Sequence, residues 1–282
     1  MYIKEFLGYC GARNLSALTL KQYRTVLKEL YQFAAEQGKD VDDLNPSDIA
    51  NYQLALSQRI KPQSVNNHLS AVRSYYAYMC KFQGMTANPA LTVSPCKVAN
   101  LLPMYISQNT MEKMLCELPL NTPKQRRNYT MLALFYMTGA RCAEVLALSV
   151  SDLNFEESKI LLYGKGRKQR YVPMCSKLRH ILVDYLRTRP ASRHANLFLT
   201  TAGEPMAEWQ LRAVITRILC RYVPREYAHP HILRHTFATV LLNHGKPIEQ
   251  ISKWMGHTSI SVTERYLTIV SNPIANNFNN VF

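Results

Sequence analysis

The chain has 282 residues, of which 47% are hydrophobic and 19% are charged. This length permits one large domain or two modest ones, and no stretch approaches the roughly 20 consecutive apolar residues of a membrane helix, so we expect two domains and no membrane span. A formal net charge of +15 favours a polyanionic partner such as DNA or RNA. A ribosome-associated factor or a membrane-surface protein would also fit this charge.

The N-terminal segment and the cysteines indicate the cellular compartment. Lys4 and Glu5 interrupt the apolar pattern of the first residues, so the segment lacks the apolar run of an export signal and predicts a cytoplasmic protein. Seven cysteines lie along the chain without CxxC spacing. This spacing disfavours a zinc site and a disulfide framework, and we expect reduced thiols.

The first hundred residues predict a bundle of helices. Apolar residues recur at spacings of three and four in three segments, which are 16–35, 48–59 and 65–83. Thr19 is a candidate N-cap of the first helix, while Asn45 and Pro62 mark the turns before the second and the third.

The second half of this helical region is basic. Acidic residues are absent from 51–100, so this region predicts a surface of one sign that contacts DNA phosphates, although a solvated helix face is the plain alternative. The predicted DNA-binding residues of this region are Arg59, Lys61, Arg73 and Lys81. Pro89, Pro95 and Pro103 then indicate an extended linker. We expect a first domain at 1–92, a linker at 93–105 and a second domain at 106–282.

The second domain is predicted to be mainly helical with a small antiparallel sheet, an α+β domain. Helical spacing predicts seven further helices, which are 110–118, 127–138, 141–148, 177–187, 208–220, 231–243 and 248–255. Gly139 is expected to end the second of these. Between them the period changes to two at 159–163 and 170–173, which predicts a hairpin with a basic, glycine-bearing turn that contains Arg167 and Lys168.

Several residues of this domain are suited to phosphate chemistry. His231 and Arg234 are three residues apart and share one helix face. Arg141 follows Gly139 at a predicted helix start, and two arginines can clamp a phosphate. Lys165 stands between two glycines in the hairpin turn. The dipeptide GH at 256–257 is followed nine residues later by a tyrosine, Tyr266.

These residues resemble the tyrosine recombinases, with Xer-type recombinases and phage-type integrases as the nearest relatives. TGARCAEVLAL resembles the first arginine box of the family, YGKGRKQRYVP its lysine hairpin, HILRHTFAT its His-x-x-Arg box, and WMGHTSISVTERY its second histidine and tyrosine nucleophile. The resemblance spans the chain from about Ile106 to the end, and the first helices with their NPA turn resemble the core-binding domain. It implies an N-terminal helical, SAM-like core-binding domain and a catalytic domain that form a clamp around DNA.

The resemblance also implies a role for each residue of the site. Tyr266 is the nucleophile, Arg141 and Arg234 hold the non-bridging oxygens, and Lys165 protonates the leaving 5′-oxygen. The full catalytic set is Arg141, Lys165, His231, Arg234, His257 and Tyr266. His231 is our candidate base and His257 our candidate hydrogen-bond donor, a division that the sequence leaves open. Glu144, one turn after Arg141, is either its side-chain partner or part of a surface ion pair.

The implied reaction is site-specific recombination through a 3′-phosphotyrosine intermediate and a Holliday junction. No cofactor is expected, because the covalent link keeps the phosphodiester energy. His231 and His235 are spaced like zinc ligands, but Arg234 beside them would repel a cation, so we expect no metal. The alternatives are DNA relaxation of the type IB topoisomerase kind and a DNA-binding regulator without catalysis.

The implied partner is double-stranded DNA with paired inverted-repeat core sites. We expect a homo-oligomer that forms a tetramer on synapsed DNA through the C-terminal tail, 268–282, with a tail folded back in cis as the alternative. We expect no arm-binding domain before Ser16, which disfavours integrases that bridge distant sites, and we expect a cytoplasmic, nucleoid-associated location. The sequence leaves open whether the protein acts alone or with an accessory protein or a second recombinase, and whether it serves dimer resolution, integration or inversion.

Overall fold

The computed structural model describes residues 2–98, 104–164, 168–256 and 263 of the chain. The chain divides into two compact units, Met1–Asn100 and Leu101–Phe282. Each unit has its own core of buried apolar side chains.

The first unit is helical. Its helices are α1 (Ile3–Ala12), α2 (Ala17–Glu36), α3 (Pro46–Ser57) and α4 (Pro62–Phe82). The three predicted helices correspond to α2, α3 and α4, while α1 was not predicted. Phe6 of α1 is buried, with its ring stacked on Tyr23 at 5.7 Å and edge-on to Tyr75 at 5.6 Å. Ring pairs of this kind fasten α1 to the core.

Two helix starts in this unit show which side chains satisfy the free N–H groups. The Oγ atom of Ser16 accepts a hydrogen bond from the backbone N–H of Thr19 at 3.2 Å, so Ser16, and not Thr19 as expected, caps α2. Asn45 caps α3, and Asp48 returns a bond to the backbone N–H of Asn45 at 2.9 Å. Such reciprocal bonds fix where a helix begins.

The segment after α4 folds against the first unit. Asn66 of α4 accepts from the backbone N–H of Cys96 at 2.7 Å and donates to its carbonyl oxygen at 2.9 Å. Ala90 and Val93 are buried in the core. Residues 93–96, which the sequence assigns to the linker, therefore pack with the first unit, because side-chain amides satisfy a backbone that has no regular ladder.

The second unit is mainly helical. Its helices are α5 (Gln108–Glu117), α6 (Pro123–Thr138), α7 (Cys142–Ala147), α8 (Ser176–Thr188), α9 (Glu208–Leu219), α10 (Pro230–Asn243) and α11 (Ile248–Met255). Helix α6 packs against α8, α9 and α10, which explains why its sequence is apolar on nearly every side. The predicted bounds of α11 agree with the structure, and those of the other helices differ by a few residues.

A small sheet lies beside these helices. Its strands are β1 (Leu153–Asn154), β2 (Lys159–Tyr163) and β3 (Gln169–Pro173), paired antiparallel in that order. Strand β1 is too short to leave a period-two signal and was not predicted. Ile160 and Val172 are paired and fully buried, and Leu162 is paired with Arg170 on the same face. The predicted α+β class, mainly α with a small antiparallel sheet, is confirmed.

Gly139 ends α6 with a backbone conformation that suits glycine. Its φ is +62°, and a Cβ atom added there would lie 2.5 Å from Cδ1 of Phe237 on α10. The chain therefore turns sharply between α6 and α7 while α10 packs closely against the turn.

We predict that Gly139→Ala lowers the free energy of unfolding by about 2 to 4 kcal/mol, from left-handed backbone strain together with overpacking against Phe237. Urea unfolding measures the loss. Gly245→Ala is the matched control, because Gly245 has a φ of +72° but no atom within 4 Å of the added Cβ. Equal losses in the two variants would contradict the role of close packing at Gly139.

Candidate active site

The turn after Gly139 places Arg141 and Glu144 side by side. Arg141 is the N-cap of α7, and its backbone N–H donates to Oε2 of Glu144 at 2.7 Å. Its guanidinium donates from Nη1 to Oε1 of Glu144 at 2.9 Å and from Nη2 to the carbonyl oxygen of Gly256 at 3.2 Å. The side chain of Arg141 is 40% exposed. Arg141 is thus held through its backbone N–H and both Nη atoms while part of its side chain stays exposed to solvent.

Glu144 is the centre of a buried network. It is 2% exposed, and its two oxygens accept from Arg170 as well, at 2.6 Å from Nη1 and 2.8 Å from Nη2. This paired, two-point contact is the strong form of the arginine–carboxylate bond. The sequence left two interpretations of Glu144 open. In the structure Glu144 is a buried partner of Arg141 and not part of a surface ion pair.

The pKa of Glu144 reflects two opposed effects. Burial alone would raise the pKa, but the hydrogen bonds from Arg170 and from the Arg141 backbone, together with the two guanidinium charges, hold it below its usual value. Glu144 is therefore ionised in the folded protein at neutral pH.

Arg170 is a member of this network that the sequence analysis missed. The register of the hairpin puts it on the buried face, opposite Leu162, where its side chain is 12% exposed. Its Nε atom donates to the carbonyl oxygen of Trp254 in α11 at 2.6 Å. A sequence signal existed, because Arg170 alternates with Val172 onto one face of β3, and on that face Val172 pairs with the apolar Ile160.

Arg234 joins three segments from a buried position. It is 2% exposed, and it donates from Nη1 to the carbonyl oxygen of Gly139 and from Nη2 to that of Met255, each at 2.6 Å. These carbonyls end α6 and α11. The guanidinium of Arg234 is therefore fixed between the turn that carries Arg141 and the end of α11.

His231 lies one turn before Arg234 on α10 and is exposed. The pKa of its ring is lowered. The largest cause is desolvation of the ring by neighbouring protein, and the positive charges of Arg234, His229, Arg141 and Arg212 lower the pKa further. The charges of Arg141 and Arg234 thus act on the same imidazole. The ring is neutral at pH 7, with a nitrogen lone pair that can accept a proton.

The structure brings together Arg141, Glu144, His231 and Arg234 of the predicted site. The predicted residues Lys165, Arg167, His257 and Tyr266 lie outside the described residues. Lys168 is exposed, and its carbonyl oxygen accepts from the N–H of Gly164 at 2.7 Å across the hairpin turn.

The predicted DNA-binding residues of the first unit differ in their surroundings. Arg59, Lys61 and Lys81 are exposed. Arg73 is half-buried, and its guanidinium donates to the carbonyl oxygens of Ala90 and Val93 at 3.0 and 2.5 Å. Arg73 therefore holds the segment after α4, a task that the sequence analysis did not foresee.

The described residues contain neither a metal-binding cluster nor a membrane-spanning helix. No group of three or more His, Cys, Asp or Glu side chains there is arranged to hold a metal ion. In the same residues, no helix combines the length and the apolar character required to cross a membrane.

Family models match both units. The model of the phage integrase family matches residues 105–272, and that of the phage integrase N-terminal SAM-like domain matches residues 3–82. Tyrosine recombinase XerC of Bacillus pumilus (strain SAFR-032) is 31% identical over 264 residues, which cover 90% of this chain and 87% of the relative. Tyrosine recombinase XerC of Staphylococcus aureus (strain JH9) is 32% identical, with 92% and 88% covered.

Solved structures share the fold. The XerA recombinase aligns with a TM-score of 0.54 and 27% identity over 94% of this chain and 92% of that one. XerH bound to its palindromic difH substrate after cleavage aligns with a TM-score of 0.80 and 20% identity over 94% and 81%. The Tn1549 transposon integrase in complex with transposon right end DNA aligns with a TM-score of 0.74 and 19% identity over 94% of each chain.

The chain therefore belongs to the phage integrase family. As a tyrosine recombinase it is a DNA-binding, strand-transferring enzyme.

The lowered pKa of Glu144 predicts a dependence of stability on acid. Its contribution is fully present above the ordinary pKa of 4.5 and is lost as the pH falls through the lower pKa of the folded protein. We predict that the free energy of unfolding falls more steeply below about pH 4.5 in the wild type than in Glu144→Gln. At neutral pH the variant is less stable by about 3 to 5 kcal/mol, because Arg170 keeps a buried charge without its carboxylate.

Urea unfolding across this pH range gives the measurement. The exposed Glu112→Gln is the control and is expected to follow the wild-type curve. Parallel curves for Glu144→Gln and wild type would show that Glu144 does not carry this acid sensitivity.

Proposed function

We propose that the protein is a Xer-type site-specific recombinase that cuts and rejoins DNA strands through a covalent bond between Tyr266 and a 3′-phosphate. The observation that carries the proposal is the meeting of Arg141, Arg234 and His231 at the ends of α6 and α11. Arg141 is far from His231 and Arg234 in the sequence, and the fold brings the two guanidiniums and the imidazole together.

The proposed cleavage step begins when the phenolic oxygen of Tyr266 attacks the scissile phosphorus. His231 accepts the phenolic proton, a bond forms between phosphorus and the tyrosine oxygen, and the bond from phosphorus to the 5′-oxygen breaks. Lys165 donates a proton to that oxygen. The products are a 3′-phosphotyrosine and a free 5′-hydroxyl, which conserve the phosphodiester energy and need neither ATP nor a metal.

Rejoining is the same step in reverse with another strand. The 5′-hydroxyl of a partner DNA attacks the phosphotyrosine, Tyr266 leaves with a proton, and a new phosphodiester is made. Two successive exchanges of this kind pass through a Holliday junction. No cofactor takes part in either exchange.

The arginines supply the main electrostatic contribution in this proposal. Negative charge grows on the non-bridging oxygens as the phosphorus is attacked, and guanidiniums already fixed in place stabilise it without the reorganisation that water requires. Arg234 is held by two carbonyl oxygens, and Arg141 by Glu144 and the Gly256 carbonyl. His257 is proposed to donate a hydrogen bond to the phosphate.

The proposed substrate is double-stranded DNA with paired inverted-repeat core sites. Arg59, Lys61 and Lys81 on the first unit, and Arg167 and Lys168 at the hairpin turn, are proposed to contact phosphates, whereas Arg73 would act through the segment that it holds. We propose a tetramer on synapsed DNA, joined through the tail 268–282, in a nucleoid-associated, cytoplasmic protein. The similarity to XerH, whose structure holds a palindromic difH substrate, supports this substrate class.

A relaxation assay tests the proposal against DNA relaxation and against regulation without catalysis. We expect exchange between two copies of a cognate site and little relaxation of supercoiled plasmids that lack it. Efficient relaxation without a site would favour a topoisomerase, and binding without any covalent adduct would favour a regulator.

We predict that Tyr266→Phe abolishes the covalent protein–DNA adduct on a nicked suicide substrate while its affinity for DNA stays within about twofold, because only the attacking oxygen is lost. Denaturing gels measure the adduct and mobility shifts measure the affinity. Tyr222→Phe is the control, since Tyr222 donates to Glu117 within the second unit and lies outside the proposed site. An adduct yield unchanged in Tyr266→Phe would refute the assignment.

We predict that Lys165→Ala slows cleavage of an ordinary DNA strand by about 100-fold or more, because the leaving 5′-oxygen then departs without a proton. A substrate with sulfur at the bridging 5′ position should be cleaved at close to the wild-type rate, since a thiolate leaves without protonation. Single-turnover rates on both substrates provide the comparison. Equal loss on both would remove Lys165 from the acid role.

A further inference from the structure

We propose that Arg170 is a positioning residue of this active site. Through Glu144 it fixes the positions of the β2–β3 hairpin and of the end of α11 relative to Arg141. This inference rests on the proposed function, because it concerns the rate of the same cleavage step. Arg170 itself is not proposed to touch the DNA.

The contacts of Arg170 connect three separate parts of the second unit. It belongs to β3, its two Nη atoms bind Glu144 of α7, and its Nε atom binds the carbonyl oxygen of Trp254 in α11. Three of its five N–H donors are thereby used in fixed directions. A guanidinium fork of this kind sets orientation as well as distance.

The end of α11 is built around this side chain. Gly256 has a φ of +64°, and a Cβ atom added there would lie 3.0 Å from Cδ and 3.1 Å from Nη1 of Arg170. The carbonyl oxygen of the same glycine accepts from Nη2 of Arg141 at 3.2 Å. Gly256 thus lies against both arginines, and the next residue in the chain is the proposed site residue His257.

The start of the hairpin turn lies against the same network. A Cβ atom built on Gly164 would be 3.7 Å from Oε1 of Glu144 and 4.0 Å from Nη1 of Arg170. The residue that follows Gly164 is Lys165. The Arg170–Glu144 pair is therefore in contact with the residues that immediately precede two members of the proposed catalytic set, and it is bonded directly to a third, Arg141.

A gain in stability alone is a weak explanation for the buried Arg170–Glu144 ion pair. Two charges lose their hydration when they are buried, and replacing a buried ion pair with apolar side chains of similar volume is often neutral or stabilising. A buried pair that also makes directed bonds to α11 and to Arg141 fixes geometry that apolar packing would not. Misplacement of a catalytic group by about 1 Å is enough to slow a reaction by about 100-fold.

Arg170→Lys is the first test. Lysine keeps the positive charge but makes a point contact in place of the fork and the Nε bond, so the hairpin, Glu144 and α11 lose their common orientation. We expect single-turnover adduct formation on the suicide substrate to fall by at least about tenfold, with DNA affinity within about twofold of wild type. A folded Arg170→Lys enzyme with the wild-type rate would overturn the proposal.

The paired variant Glu144→Met with Arg170→Met covers the case in which Arg170→Lys fails to fold. It removes both charges together, so we expect a folded protein that binds DNA and forms adducts at least about tenfold more slowly. A folded, paired variant that cleaves at the wild-type rate would show that the pair does not position the site.

Arg127→Lys is the matched control. Arg127 is 7% exposed and donates to the carbonyl oxygen of Leu199 at 2.8 Å, away from the site. We expect it to lower the unfolding temperature but to keep the wild-type adduct rate at temperatures where it is folded. If the adduct rate fell in proportion to the loss of stability in both Arg127→Lys and Arg170→Lys, the role of Arg170 would be purely structural. A wild-type protein that forms no adduct would instead refute the proposed function.

Discussion

The buried carboxylate of Glu144 is the interaction on which the second unit's functional end depends. A carboxylate at 2% exposure loses nearly all its hydration, and that loss is offset here by two guanidiniums and a backbone N–H. Those partners come from α7 and β3, and Arg170 extends the network to α11. The position of each element is therefore constrained by the need to keep the hydrogen bonds of one negative charge. This constraint is stronger than apolar contact, which tolerates small shifts.

Much of the fold could be predicted because local signals agree with it. Helix α11 lies at its predicted bounds, since Pro247 and Gly256 flank a short amphipathic segment, and the hairpin was visible as a change of period from three or four to two. Helix α1 carries the same kind of signal, with Ile3, Phe6, Leu7 and Cys10 at helical spacing. The sequence analysis used this segment only to exclude an export signal. Strand β1 has two residues, which is too few for any period to be detected.

The site was predictable to a different degree. The sequence analysis named Arg141, His231, Arg234 and Glu144, and these four residues lie close together in the structure. It did not show that Arg234 is held by carbonyl oxygens of Gly139 and Met255, because every residue has a carbonyl and such a contact leaves no mark in the sequence. Arg170 was missed for a related reason: its partners are 26 and 84 positions away, and an arginine in a strand is ordinarily taken as solvent-exposed.

The choice of partners explains how the site can be rigid and still attract a phosphate. If each arginine had its own carboxylate, orientation would come at the loss of net positive charge. In the described residues, Arg141 and Arg170 share the carboxylate of Glu144, and Arg141, Arg170 and Arg234 also donate to carbonyl oxygens of Gly139, Trp254, Met255 and Gly256. A carbonyl dipole directs a guanidinium without cancelling its formal charge. Arg141 keeps part of its surface open, so the positive charge that remains is both oriented and accessible to an anion.

The ends of helices α6 and α11 supply these carbonyls because their last C=O groups have no partner within the helix. Helix termination and phosphate binding are thus two consequences of one arrangement.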